Sequence, residues 1–560
     1  MAFLKPQKAD LYGEPIQLHN PSVFVEGDDR KTVVHFFSER QITISAEGTI
    51  HIKTVHCDSR ATTYIEQTRR LTGEKYILTV NEANEAVEIE IRYGGKRGLF
   101  YALCDLYRRI TTQTLSSGTI ENYPLFAIRG YIEGFYGKPW SVSQRKEMLH
   151  TLAPCGINSY FYAPKDDPYH RAHWQRPYPQ DAIESLRELV DCAKRCYVDF
   201  WYCLAPGLDV CYSAEEHLLC MYEKYLQLYV IGVRHFGLLL DDIPSSLRYD
   251  QDIEQYPDTV HAHADLANRL ADRLRAYDSE IRLVVCPMQY HGKSDAYYIS
   301  KLGHLLDPSV LLFWTGRNIC AQELTVPEAI LFREHTLHCP LYWDNYPVND
   351  AEMTHQMHIG PIVGRENRLY LYSEGIVSNC MPQFQCSKIP LLTIADYLWN
   401  PELYDPQASW MDALHAVLGE EADLFVYFAE HLSFSCLQSP SSDRMVDAFT
   451  DFDWSAPFVK PLPLHLSSYI STVCDCMRLL NMHVCKGDQL YIELLPWIQK
   501  FNCFSETLQL CSLYFQTKER SVLGEIKKKL YAFDRLPEEM TDFTFRACIE
   551  ALLQSANEVC

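Results

Sequence analysis

The chain has 560 residues with 51 Lys and Arg against 73 Asp and Glu, a formal charge of −22. At roughly 150 residues per domain it holds several cores under an acidic surface. That excludes a small disulfide scaffold, a disordered chain, and a surface built to neutralise nucleic-acid phosphates or anionic lipid.

The 21 cysteines are odd in number, follow no repeated spacing and include no C-x-x-C pair, so free thiols are expected rather than a disulfide framework. The N-terminus turns polar at once and no apolar run approaches the length of a membrane span. The reading is a cytoplasmic protein without signal peptide or membrane partner, although non-classical export leaves no mark in a sequence.

Residues 1–124 read as a small α+β domain. Strict alternation over Val87-Glu-Ile-Glu-Ile-Arg-Tyr93 predicts a half-buried strand, with β-rich stretches at 32–37, 42–55 and 76–80 ahead of it. Gly94-Gly95 ends that strand, and Leu99, Leu103, Leu106 and Ile110 at helical spacing predict a helix over 96–113. A structural or positioning role is expected for this unit.

Residues 125–400 change rhythm. Strand candidates at 127–133, 159–163, 200–205, 236–240, 281–288, 310–314, 341–343 and 376–379 alternate with helical stretches such as 143–152, 181–195, 260–277 and 326–335. This predicts an α/β fold, a (β/α)8 barrel, rather than an open doubly wound sheet. Residues 401–560 are helical in pattern over 410–432, 466–480, 490–515 and 521–533, punctuated by Pro461, Pro463 and Pro496, and predict a helical bundle domain.

In a parallel barrel the C-terminal strand ends surround one mouth, where packing does not require polar residues. Here strand one ends in Glu133-Gly-Phe-Tyr-Gly137, strand two in Pro164-Lys-Asp-Asp167, and strand four in Asp241-Asp242. The later ends carry Gln289-Tyr290, Trp314-Thr-Gly316, Trp343-Asp-Asn345 followed by Asn349-Asp350, and Asn379.

Asp241-Asp242 is the sharpest feature. Adjacent carboxylates in a low-dielectric mouth disfavour each other's ionisation, which raises one apparent pKa and leaves a neutral acid beside an ionised acceptor. That division suits general acid catalysis coupled to stabilisation of positive charge, as in glycosidic bond cleavage. A helix N-cap pair or a Mg²⁺ ligand set would give the same dipeptide, and the polar strand ends around it favour chemistry. Trp314, Trp343, Tyr136 and Tyr290 suit a sugar pocket, in which aromatic faces pack on a pyranose and amides take its hydroxyls. Lys165 suits either that site or a surface salt bridge.

Other constellations carry less. Gly130, Gly134 and Gly137 lack dinucleotide-loop spacing and no Walker lysine follows. The pairs His261/His263 and His355/His358 lack ligand partners and are expected to be structural, as are Cys474 and Cys476.

At these motifs the chain closely resembles glycoside hydrolase family 84, the retaining β-N-acetylglucosaminidases that include protein O-GlcNAcases. The resemblance rests on residues 129–140, 162–168, 240–243, 286–290 and 313–316, on Trp343-Asp-Asn345, and on Asn349-Asp350. It implies that Asp241 orients the substrate's 2-acetamido group and that Asp242 is the general acid and later the base. The acetamido oxygen would attack C1 and give an oxazoline, with no enzyme nucleophile. It further implies that the Gly134 backbone, Lys165, Asp350 and Asn379 bind sugar hydroxyls. Asn345 and Tyr290 would hold the acetamido carbonyl, and Trp343 and Cys286 line a slot for its methyl. No metal or organic cofactor is implied. The expected partner is a GlcNAc-bearing glycoprotein or glycoside, and a homodimer through the helical domain is left open. Arg317 departs from relatives that often carry proline there. The competing readings are a hyaluronidase-like endo-glycosidase, which would need cationic residues for uronate, and a non-catalytic GlcNAc-binding protein.

Overall fold

The computed structural model describes residues 4–57, 72–83, 86–437, 442–455 and 462–558, and Pro461 lies outside them. The first unit is a sheet of β1 (Lys8–Tyr12), β2 (Ser22–Gly27), β3 (Thr43–Ile44), β4 (Ile50–His56), β5 (Tyr76–Glu82), β6 (Val87–Tyr93) and β7 (Ser117–Asn122), in the order β1-β7-β5-β6-β4-β2-β3. The alternation in β6 does what its sequence requires, burying Val87, Ile89, Ile91 and Tyr93 while Glu88 and Arg92 face solvent. Helix Lys96–Thr111 lays Leu99, Leu103, Leu106 and Ile110 on the same core.

Residues 32–37 are not β. They lie in helix Arg30–Glu39, where Val33, Phe36 and Phe37 are buried at the i, i+3, i+4 spacing of one helical face. That face outweighs the β-branched propensity of Thr32-Val33-Val34.

The second unit is a closed barrel of eight parallel strands: β8 (Ile128–Glu133), β9 (Ser159–Tyr162), β10 (Asp199–Leu204), β11 (His235–Leu239), β12 (Arg282–Cys286), β13 (Leu311–Trp314), β14 (Pro340–Asp344) and β15 (Gly375–Asn379). Period-2 alternation sends Ile132, Phe161, Trp201, Leu239, Val284, Phe313, Leu341 and Val377 into the interior. Their neighbours pack outward on the helices.

The sheet unit is pinned to the barrel end opposite the mouth. Arg129 in β8 donates to both oxygens of Glu74, at 3.0 and 3.2 Å, and Arg97 bridges Glu74 at 3.0 Å and Asp199, the first residue of β10, at 2.8 Å. Burial pushes the Glu74 carboxyl up, but the two guanidinium groups outweigh it and hold it below the usual range. This stabilisation is therefore present at neutral pH and lost as pH falls through the depressed value. Glu74→Gln leaves Arg129 buried without its counter-charge, and a loss of about 3–5 kcal/mol is expected from the shift in urea midpoint.

The third unit is helical. Expected helix 410–432 is interrupted at Gly419, giving Pro406–Leu418 and Ala422–Ala429. Expected helix 490–515 divides just before Pro496 into Gln489–Glu493 and Leu495–Thr517. Helices Leu464–Lys486, Arg520–Arg535 and Phe543–Glu558 complete the bundle, whose apolar face shares one core with the barrel helices. Among the described residues no helix is long and apolar enough to cross a membrane.

Three of the four paired histidines are engaged by protein groups, and His355 is exposed. His263 sits between the Tyr212 and Tyr298 hydroxyls at 2.8 and 2.7 Å, and His261 Nδ1 lies 2.7 Å from Asp258. His358 holds the 347–348 backbone carbonyls at 3.1 and 2.9 Å.

Candidate active site

The interior alternation, carried to or just past the ends of six strands, builds the mouth. Two residues beyond Ile132, Ala163, Leu239, Phe313, Trp343 and Val377 stand Gly134, Lys165, Asp241, Thr315, Asn345 and Asn379. All six line one cavity of about 490 Å³, together with Tyr136, Asp242, Cys286, Tyr290, Trp343 and Asp350. Every residue to which the family resemblance assigns a sugar-binding or catalytic role thus lines this one cavity.

The same parity turns other strand-end residues away. Glu133 is buried outside the barrel, paired with Arg145 at 2.6 Å. Asp344 likewise meets Arg365 in a buried pair. Trp314, expected among the sugar-pocket aromatics, is a core residue instead. It points out from β13 and stacks on Phe332 of helix Val326–Thr336, with ring centroids 4.7 Å apart. Asp167 accepts from the Tyr162 and Tyr178 hydroxyls at 2.8 and 2.7 Å, a packing role beside Lys165.

Asp241 and Lys165 form a nearly buried ion pair, Nζ to Oδ2 2.9 Å, with side chains 9% and 5% exposed. Burial alone would push the Asp241 carboxyl up, yet the Lys165 ammonium holds it below the usual carboxylate range. The charge on Asp241 is thus set by a lysine two strands' span away. The second oxygen, Asp241 Oδ1, is buried and has no hydrogen-bond partner among the described residues.

Asp242 continues neither the strand nor a helix; the next helix, Asp250–Gln255, begins well after it. Its φ of +52° is left-handed, uncommon for a side-chain-bearing residue. In regular strand geometry Asp242 would face opposite to Asp241, and the left-handed turn brings both to the mouth. There Asp242 is exposed and accepts from the Tyr136 hydroxyl at 2.8 Å and the Tyr290 hydroxyl at 3.4 Å. Arg171 in turn donates to the Tyr136 oxygen at 3.0 Å. Arg171 was not signalled by the sequence, because it lies outside the strand-end pattern.

The far wall is an amide network. Asn379 accepts from the Gly134 N–H at 3.1 Å and donates to Asn345 Oδ1 at 3.1 Å, which also accepts from Trp343 Nε1 at 2.9 Å. Asn345 donates one amide hydrogen to the Ile319 carbonyl at 2.9 Å. Asp350 accepts from the Tyr136 N–H at 2.7 Å, and burial pushes its carboxyl up. Cys286 is buried, and that burial raises its thiol well above the ordinary value.

Gly134 is dictated by close approach. A Cβ there would lie 2.6 Å from Trp343 Cζ2 and 3.1 Å from Asn379 Oδ1. Gly134→Ala is expected to push the indole out of place and cost at least tenfold in kcat/KM, roughly 1.4 kcal/mol in the barrier. Steady-state kinetics beside an unchanged circular dichroism spectrum checks this.

Ile319, Cys320, Val348, Glu352 and Met353 also line the cavity and were not foreseen. They sit on loops after β13 and β14, where no periodicity marks direction. Arg317 pairs with Glu328 of the following helix and Gly316, with φ +99°, makes the turn, so the loop closes without proline.

Fold and site together define a glycoside hydrolase built on a (β/α)8 barrel. Residues 129–430, more than half of the chain, match the family model of beta-N-acetylglucosaminidases. The chain belongs to that family, glycoside hydrolase family 84. Over 274 residues it is 30% identical to the protein O-GlcNAcases of Rattus norvegicus and Mus musculus, covering 48% of this chain and 29% of each relative. The chain therefore matches less than a third of the length of those relatives. A mutant form of Thermobaculum terrenum O-GlcNAc hydrolase superposes with a TM-score of 0.69 at 28% identity, over 78% of this chain and 96% of that one. CpGH84B shares the fold over 98% of this chain and 99% of its own, with a TM-score of 0.82 at 24% identity.

Proposed function

We propose that the protein is a retaining exo-β-N-acetylglucosaminidase that removes terminal β-linked GlcNAc, with O-GlcNAc on Ser or Thr of proteins as the favoured substrate. The observation that carries this reading is the state of Asp241. One oxygen is paired with Lys165 while the other, buried and without a partner among the described residues, is a ready acceptor for the N–H of a 2-acetamido group. Accepting that hydrogen bond turns the acetamido oxygen toward C1 and makes it more nucleophilic.

In the first step that oxygen bonds to C1 as the glycosidic C–O bond breaks and Asp242 gives its proton to the leaving oxygen, producing an oxazoline in its protonated, oxazolinium form, whose N–H stays hydrogen-bonded to the Asp241 carboxylate. In the second, Asp242 takes a proton from water, whose oxygen attacks C1 and reopens the ring with net retention. Asn345 has a second amide hydrogen for the acetamido carbonyl, and Cys286 with Trp343 supplies an apolar wall for the methyl. Water excluded from that wall would leave the acetamido oxygen a better nucleophile.

An endo-acting enzyme for uronate polymers fits less well. Among the described residues lining the cavity, Lys165 is the one cation and it is committed to Asp241, beside Asp242, Asp350 and Glu352.

The test is proton NMR of the product anomer from an aryl β-N-acetylglucosaminide, with a thiazoline mimic of the oxazoline as inhibitor. The β-anomer should appear first and the thiazoline should inhibit at low concentration. First formation of the α-anomer, or indifference to the thiazoline, would sink the oxazoline route, and no turnover at all would favour the sugar-binding reading.

A further inference from the structure

At the barrel end opposite the mouth, the last turns of two neighbouring helices bring three soft donors together. His150 lies in the last turn of Val142–Leu152, the helix after β8. Cys192 and Cys196, one helical turn apart, end Gln180–Arg195, the helix after β9. Cys192 Sγ is 3.6 Å from His150 Nε2, and Cys196 Sγ is 3.4 Å from His150 Nδ1. Among the described residues this is the one trio of His, Cys, Asp or Glu whose ligand atoms all lie within 4.8 Å of one another.

Both sulfurs thus lie against one imidazole, each nearest a different ring nitrogen. A tetrahedral Zn²⁺ with Zn–S of about 2.3 Å and Zn–N of about 2.0 Å sets each S···N edge near 3.5 Å. The imidazole presents its edge to both sulfurs, and because His150 is exposed, a turn about its Cβ–Cγ bond aims one nitrogen between them. Both thiols are buried, whereas His150 and Cys196 also line a groove of about 880 Å³ between these helices and the N-terminal unit. A fourth ligand, such as water, would enter from that groove.

A disulfide is the poorer use of the pair. Helical residues four apart hold their Cβ atoms about 5–6 Å apart, against the roughly 3.5–4.5 Å a disulfide needs.

We propose that His150, Cys192 and Cys196 form a binding site for a thiophilic divalent cation of the Zn²⁺ type, clamping the two barrel helices together at the domain junction, away from the sugar site. Binding makes two metal–sulfur bonds and one metal–nitrogen bond, and the two thiols give up their protons to solvent. The two thiolates then cancel the 2+ charge. The C-x-x-x-C spacing, with its histidine on another helix, escapes a search for paired C-x-x-C motifs.

The experiment uses the full chain, reduced with a phosphine and stripped with a chelator, then titrated with Co²⁺ and back-titrated with Zn²⁺. One equivalent of Co²⁺ should give thiolate-to-metal charge transfer and tetrahedral d–d bands, both removed by Zn²⁺. His150→Ala, which alters an exposed side chain and keeps the fold, should bind that equivalent at least tenfold more weakly. Cys192→Ser should abolish the charge-transfer band contributed by its sulfur. Turnover of an aryl N-acetylglucosaminide should be the same in wild type and both variants. Equal Co²⁺ binding and spectra in wild type and His150→Ala would overturn the proposal. So would a Cys192–Cys196 disulfide in the intact mass and peptide map of protein purified without reductant.

Discussion

Asp242→Asn is expected to lose roughly 10²–10⁴-fold in kcat/KM on a glycoside with a poor leaving group, the range of a positioned general acid. On an activated aryl glycoside the loss should be much smaller, because a good leaving group departs without a proton. The geometry behind this is particular to the residue: a left-handed backbone turns its carboxyl to the mouth, and the Tyr136 and Tyr290 hydroxyls fix its two oxygens. A series of substituted phenyl glycosides measures it, and the dependence of rate on leaving-group pKa should be steeper in the variant. An equal loss across the whole series would mean that Asp242 positions substrate without protonating the leaving oxygen. Tyr136→Phe should move the same slope in the same direction by less, since Tyr290 still holds the other oxygen.

The barrel and the cavity residues were legible for a common reason. A parallel strand buried on both faces reads as a short apolar run, and its mouth is marked by polar residues where packing asks for none, as at Leu239 to Asp242. What the pattern could not give was direction. Glu133 and Gly134, Trp314 and Thr315, and Asp344 and Asn345 are neighbours at strand ends, and one of each pair lines the cavity while the other packs on the outside of the barrel. A single-residue shift of register exchanges them. Trp314 was misplaced for that reason, while Trp343, two residues before Asn345 on the inward face, was not. The helix at Arg30–Glu39 was hidden by the consecutive Thr32-Val33-Val34, whose β-branched run reads as a strand. Arg171 and the loop residues around Ile319 and Met353 carry no periodic signal, and their place depends on backbone paths that only the folded chain defines. The trio of His150, Cys192 and Cys196 was hidden because its members come from two helices that become neighbours only when the barrel closes.

Lys165→Met should both slow the enzyme and move its pH profile. In the wild type burial pushes Asp241 up and Lys165 more than compensates, so the carboxyl stays ionised far into acid. Without the ammonium only the upward push remains. The protonated fraction of Asp241 at any given pH then rises, and an activity that needs its ionised form appears only at higher pH. The acid limb of kcat/KM is therefore expected to shift upward, with a loss of about 10²–10³-fold at neutral pH, the scale of one preorganised electrostatic contact. Asp241→Asn separates the two effects: it should be slow at every pH and show no Asp241 limb. If Lys165→Met is slow but keeps the wild-type acid limb, Lys165 acts on the sugar directly and not through Asp241. Stability should follow the same couple. Asp241, depressed in the fold, contributes above its unfolded pKa and ceases to as pH falls through the folded value. Lys165, raised in the fold although burial opposes it, contributes below its unfolded pKa and ceases to as pH rises through the folded value. Urea midpoints of wild type and Lys165→Met should therefore differ most near neutral pH and converge towards both extremes.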